Sequence, residues 1–185
     1  MAVAGDNSKV QAVFAHNILD ANDAESLSIT RFPHWLKPYY SLLQKSMRLG
    51  AKLLPRLSLP IGFYLQDSRI FREKSLLEQF YQDPLNLTAY PLYFLASLFS
   101  ADTGFLSAGK IKCPVVVISA SGDTLFSRSY TQRVFQRIVA PSRQMLEFEL
   151  NNHLIFNECL EEILPGLLDK LREYAQAQQE TGFSI

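Results

Sequence analysis

The sequence predicts an α/β fold of about three parallel strands with flanking helices and an inserted helical cap. Three observations carry that reading. Two apolar runs, residues 113–118 and 144–150, each open into a polar loop, and an amphipathic stretch lies between them. An earlier apolar run within residues 8–20 shows no polar/apolar alternation, the pattern of a strand buried on both faces of a parallel sheet. Between these segments, residues 31–108 follow helical spacing and hold fourteen of the chain's aromatics, more than an even share.

Residues 1–30 are read as the first core strand and its loop. The run Val10–Ile18 follows Asp6, Asn7 and Ser8 and closes at Asp20-Ala-Asn-Asp, a strand feeding a polar turn. His16 falls late in that strand and reads as structural.

Residues 31–108 form the predicted cap. Tyr39, Leu42, Leu43, Met47, Leu53 and Leu54 repeat at helical spacing, and Pro55 and Pro60 close that helix. A second helix is expected near Glu73–Tyr81, with Leu76, Leu77 and Phe80 on one stripe, and a third from about Pro91 to Phe99. Helices inserted between parallel strands lie over the strand ends. Each aromatic taken singly packs the lid onto the sheet; the lid as a whole points to an apolar substrate. Asp83, before Pro84, reads as a turn former. His34 and Trp35, between Pro33 and Pro38, are candidates to line the pocket.

Residues 109–185 supply the C-terminal core, with an acid loop and a histidine loop. Asp123 follows the strand 113–118 through Ser-Ala-Ser-Gly, and His153 follows 144–150 through Asn-Asn. Functional residues of open α/β sheets collect beyond the carboxyl ends of the strands. Alone, Asp123 reads as a turn former and His153 as a loop histidine. Together, strand, acid, helix, strand and histidine make two members of a hydrolytic triad, with Asp123 orienting the imidazole of His153. The crossover helix is expected within Ser127–Pro141, where Tyr130, Val134, Phe135, Ile138 and Val139 share a face. A last amphipathic segment, Glu158–Gln178, carries Leu160, Ile163, Leu164, Leu167, Leu168 and Leu171, and Pro165 is expected to separate a short first turn from the main helix.

These residues resemble the latter part of an α/β-hydrolase. Ile111-Lys-Cys-Pro-Val-Val-Val-Ile-Ser-Ala-Ser-Gly-Asp is similar to that family's acid-bearing strand, and Asn152-His-Leu-Ile-Phe-Asn-Glu to its histidine loop. Tyr81-Gln-Asp-Pro-Leu resembles a cap segment of the serine aminopeptidase and monoacylglycerol lipase-like branch. Val10–Asp20 resembles the strand after the nucleophile helix. The resemblance implies a partial α/β-hydrolase fold and a parent activity of ester, less readily amide, hydrolysis of a hydrophobic acyl substrate. It also implies a G-x-S-x-G nucleophile turn just before Val10, and the 185 residues contain no such motif. The expectation is therefore a C-terminal fragment, inactive alone, with catalytic roles for Asp123 and His153 only in an intact parent. The alternative is a non-catalytic binding or interaction module derived from a hydrolase.

Composition narrows the partners. Lys plus Arg balance Asp plus Glu at 18 each, with no long run of like charge, which gives no electrostatic reason to expect nucleic acid. The three histidines, at 16, 34 and 153, are dispersed and form no metal-ligand cluster, and no cofactor is expected. Two cysteines, Cys113 and Cys159, make no disulfide framework, and no stretch of about 18 apolar residues suggests a membrane span. A cytoplasmic location is the expectation. The first strand should also present an unpaired edge, a template for self-association.

Overall fold

The structure is a computed structural model and describes residues 9–181. Its centre is a three-stranded parallel sheet ordered β1-β4-β5, made of β1 (Val13–His16), β4 (Val115–Ala120) and β5 (Arg143–Phe148). Val13 pairs with Val115, and Val115 with Arg143, so the carboxyl ends of all three strands lie on one rim. The central strand is buried along its whole length, and Val115, Val116 and Val117 have no solvent exposure. That is why its sequence lacks alternation.

The strand's two faces belong to two cores. Val115 and Val117 pack with Tyr130, Val134 and Ile138, contributed by helix α6 (Arg128–Arg137) and the residue after it. Val116, Ile118 and Ala120 pack with Ile155 and Ile163, from helices α7 (Ile155–Glu158) and α8 (Leu160–Thr181). Each fully buried Val or Ile contributes about 1.5–3 kcal/mol of hydrophobic stabilisation. The rim carrying the candidate site thus stands on the best-packed part of the chain.

β1 is shorter than the predicted run. It begins at Val13, whose N–H donates to the Pro114 carbonyl, and the partner strand starts only after that proline. It ends at His16 because Asn17 turns into the left-handed region, φ 50°. Among the described residues β1 pairs on one side only.

The helical segment between β1 and β4 in the chain is termed the cap. It comprises α1 (Tyr40–Leu53), the short helices α2 (Ile61–Tyr64) and α3 (Asp67–Ile70), α4 (Lys74–Gln82) and α5 (Leu92–Leu98). Its three longer helices fall where the spacing puts them. A two-stranded antiparallel piece, β2 (Ser58–Pro60) with β3 (Ala89–Pro91), was not expected from the sequence. Strands of three residues, each ending in proline, carry no readable period. His34 and Trp35 are exposed and lie outside the cap cavity, whereas their neighbours Phe32 and Leu36 line it.

Two helical details depart from expectation. α6 is capped by the Ser127 hydroxyl, which accepts from the Tyr130 N–H at 3.3 Å, but it stops at Arg137 and leaves Val139 exposed. α8 runs from Leu160 straight through Pro165 without the predicted break. Proline there removes one N–H donor in the second turn, which leaves one carbonyl without its intrahelical partner. Ile163 is fully buried, while Leu160, Leu164, Leu168 and Leu171 remain exposed on the flank of that helix.

The loop after β1 is held to α6 by an ion pair between a buried carboxylate and a partly exposed arginine. Asp20 is fully buried and pairs with Arg137; its Oδ1 also accepts from Thr103 Oγ1 at 2.6 Å and from the Asn22 N–H at 3.1 Å. Asp23 accepts from Arg133 at 2.6 Å. Burial pushes the Asp23 carboxyl up, but the Glu25 N–H and the Arg133 guanidinium outweigh it and hold the group below its ordinary value. Thr103 sits just after the cap's last helix, so this cluster joins the cap's exit to the loop that precedes its entry.

Candidate active site

Asp123 and His153 meet at the carboxyl rim. The Oδ2 of Asp123 lies 3.0 Å from Nδ1 of His153, while its Oδ1 accepts from the backbone N–H groups of Leu125 at 2.7 Å and Phe126 at 2.8 Å. The Asp123 side chain is 1% exposed, so protein donors replace the water it has lost. A carboxylate facing Nδ1 commits the ring proton to that nitrogen, and Nε2 becomes the nitrogen available for chemistry.

The two loops approach each other closely because of Gly122. Its N–H donates to the Leu150 carbonyl at 2.9 Å. A Cβ at this position would overlap the Asn151 Oδ1 and stand 3.1 Å from the Leu150 carbonyl. A larger residue here would require the Asn151 side chain to move aside, so glycine favours the close approach of the acid loop to the histidine loop.

Phe126 lies flat against the His153 ring, with centroids 5.4 Å apart and planes within 5°. On another side stands His16, with ring centroids 6.3 Å from His153, itself in edge contact with Phe156 at 5.0 Å. Burial first, and then the neighbouring His153 ring, push His16 down to about 4 against a weaker upward pull from Asp123. His16 is therefore neutral near pH 7, and its Nε2 accepts from the amide of Asn17 at 3.0 Å. The same amide nitrogen is 3.1 Å from His153 Nδ1 and 3.4 Å from the His153 carbonyl. Asn17 thus ties the end of β1 to the histidine loop. Sequence reading missed it, although an Asn directly after a buried strand is a known occupant of left-handed turns.

The hydrogen-bond partners of His153 include neither Ser119 nor Ser121. Ser119 is buried within β4, and the Ser121 N–H donates to the Phe148 carbonyl at 2.9 Å. Asp83 lies away from the site and accepts from the Leu85 N–H at 2.9 Å within its own turn. Among the described residues no group of three or more His, Cys, Asp or Glu side chains is arranged to hold a metal ion, and no helix is long and apolar enough to cross a membrane.

The cap borders a half-open cavity of about 320 Å³ lined almost wholly by apolar side chains, among them Phe32, Leu36, Leu43, Met47, Phe63 and Leu95. Its wall residue Tyr64 is pushed up to about 12 by burial and by neighbouring Tyr90. Leu65 and Ile70 pack against both the cap core containing Tyr64 and the sheet core containing Phe126. The apolar packing is therefore continuous from the cavity wall to the ring that backs His153.

Comparison with solved structures finds a monoacylglycerol lipase of Paleococcus ferrophilus at TM-score 0.59 and 16% identity, with 94% of this chain and 72% of that chain covered. A soluble variant of the monoglyceride lipase of Saccharomyces cerevisiae, in complex with a substrate analog, matches at TM-score 0.65 and 15% identity, covering 94% and 57%. No curated protein matches. Residues 30–159 match the serine aminopeptidase S33 family, a span that takes in the cap, the acid loop and the histidine loop. The three-stranded parallel sheet, its helices and this match agree: the chain has a partial α/β-hydrolase fold and belongs to the serine aminopeptidase S33 family.

Proposed function

We propose that this chain supplies the acid and the histidine of a serine-hydrolase site, acting on an ester, in preference to an amide, of a hydrophobic acyl substrate. The observation that carries the reading is the buried Asp123 carboxylate 3.0 Å from His153 Nδ1. In that role His153 Nε2 takes the proton of the attacking serine hydroxyl as its oxygen bonds to the acyl carbon. The imidazolium so formed is stabilised by Asp123, and the proton passes to the departing alkoxide as the ester bond breaks. Water then repeats the sequence on the acyl-enzyme and releases the acid. The apolar lining of the cap cavity, to which neither Asp123 nor His153 contributes, supports the choice of a hydrophobic acyl group, and its volume stands at the small end of the roughly 300–1,000 Å³ of ligand pockets.

The serine and one oxyanion donor come from a G-x-S-x-G turn, which the 185 residues do not contain, and the second donor comes from an earlier loop. The 185-residue chain on its own is therefore expected to show no turnover of activated esters and no fluorophosphonate labelling. Joined to a nucleophile-bearing segment of the family, it should hydrolyse acyl esters. Stoichiometric labelling of the chain alone at Ser119 or Ser121 would refute the assignment.

A further inference from the structure

Arg69, in the cap, grips the segment of backbone that holds Asp123. Its Nε donates to the Thr124 carbonyl at 2.7 Å, Nη2 to the Leu125 carbonyl at 3.0 Å and Nη1 to the Ser28 carbonyl at 3.0 Å. The contact is reciprocated: the Thr124 hydroxyl donates to the Arg69 carbonyl at 2.7 Å. Charge-assisted bonds of this kind are stronger than neutral ones, and a planar guanidinium fixes direction as well as distance. Thr124 and Leu125 directly follow Asp123. The N–H of Leu125, together with that of Phe126, is what binds Asp123 Oδ1. A continuous set of bonds thus runs from Arg69 through the acid-loop backbone to Asp123 and on to His153 Nδ1.

The histidine loop is gripped from the same stretch of cap, three residues further on. Glu158 Oε1 accepts from the N–H groups of Arg72 at 3.0 Å and Glu73 at 3.2 Å, and its Oε2 accepts from the Asn152 amide at 2.7 Å. Arg72 in turn donates to Asn152 Oδ1 at 3.2 Å. Asn152 is buried and adjoins His153. Residues 69–73 therefore touch both loops, one on each side of the candidate pair.

We propose that Arg69 is a positioning residue for Asp123, so that the seating of the cap sets the Asp123–His153 bond. The inference rests on the reading of that pair as the acid and histidine of the site. It also assigns residues 69–73 a role distinct from enclosing substrate: a cap displaced from the acid loop leaves the carboxylate misaimed.

The test reads the His153 ring in the chain as it exists, by ¹⁵N–¹H correlation NMR at alkaline pH, where the two ring nitrogens report which one carries the proton. Wild type should show the proton on Nδ1. Arg69→Met keeps most of the aliphatic stem but removes all three donations, and should shift the ring toward the Nε2–H form, with loss of the low-field Nδ1–H resonance. Arg69→Lys, with one donor group in place of three, should fall between. Asn86→Ala, in a cap turn away from the acid loop, should match wild type. A folded Arg69→Met with a wild-type His153 spectrum overturns the proposal, as does an equal change in Asn86→Ala. Should Arg69→Met fail to fold, Thr124→Val decides: a partial shift in the same direction supports the role and an unchanged ring overturns it. Asp123→Asn separates the two levels. If it leaves His153 unchanged, the pair itself is misread; if it alters His153 while the Arg69 variants do not, only the positioning role fails.

Discussion

Phe126 and His153 stack with ring planes within 5° of parallel, and Phe126 is also one of the two residues whose N–H groups bind Asp123 Oδ1. One residue thus orients the carboxylate through its backbone and the imidazole through its ring. Truncating the ring should separate the two roles. Phe126→Ala is expected to cost about 3 kcal/mol of stability, as for a buried aromatic, and Phe126→Leu about 1 kcal/mol, as for a near-volume-conserving change. Both keep the backbone bond to Asp123, so their His153 ring signals should broaden more than their acid-loop amides shift. Urea denaturation and heteronuclear NMR check the two halves.

His16 makes stability depend on acidity in a defined window. Its folded pKa, about 4, lies below the ordinary histidine value of 6.5, so the unfolded chain binds the proton more readily. The contribution is fully present above about 6.5 and is lost as the pH falls toward 4. His16→Gln, neutral throughout, should flatten the stability curve across that interval. Denaturation midpoints measured between those pH values for both proteins decide it, and an identical slope would count against the burial of His16.

Asn17 combines a left-handed backbone with a side-chain amide that donates to His16 Nε2 and to the His153 carbonyl. Asn17→Ala should lose both advantages, whereas Asn17→Gly restores backbone freedom but not the amide. Gly is therefore expected to exceed Ala by about 1 kcal/mol, yet to remain below wild type. If Asn17→Gly equals or surpasses wild type in thermal unfolding, the amide bridge contributes nothing to stability.

Arg137 compensates the fully buried carboxylate of Asp20. Arg137→Met should cost less than the roughly 3–5 kcal/mol of a fully buried pair, because the arginine is 39% exposed and Thr103 and the Asn22 N–H still bind the carboxylate. Adding Asp20→Asn removes the stranded charge and should recover part of that loss. Chemical denaturation of the single and double variants measures the coupling.

The parts of the site legible in the sequence were those written locally. Asp123 and His153 each follow an apolar strand, and the spacing between them fits one crossover helix. The three longer cap helices announced themselves by apolar periodicity. What the sequence did not disclose depends on distant partners. Arg69 looks like an ordinary charged residue of a short helix until the fold brings it to backbone 55 and 56 positions away. Gly122 reads as a turn glycine, and its close approach to Asn151 shows only once the two loops meet. Pro165 misled in the other direction, because a rule about helix interiors was applied where the loss of one bond is tolerated.

The most direct test of the central claim is ester turnover by the chain joined to a nucleophile-bearing segment, comparing Asp123→Asn, His153→Ala and Asp83→Asn. The account predicts that the first two lower kcat by about a thousandfold or more with little change in melting temperature, since the rim geometry survives while the base or its tautomer is lost. Asp83→Asn should instead keep its turnover and lower the melting temperature, because its carboxylate serves a turn. Near-full activity in Asp123→Asn, with turnover abolished in Asp83→Asn, would contradict the assignment of the acid.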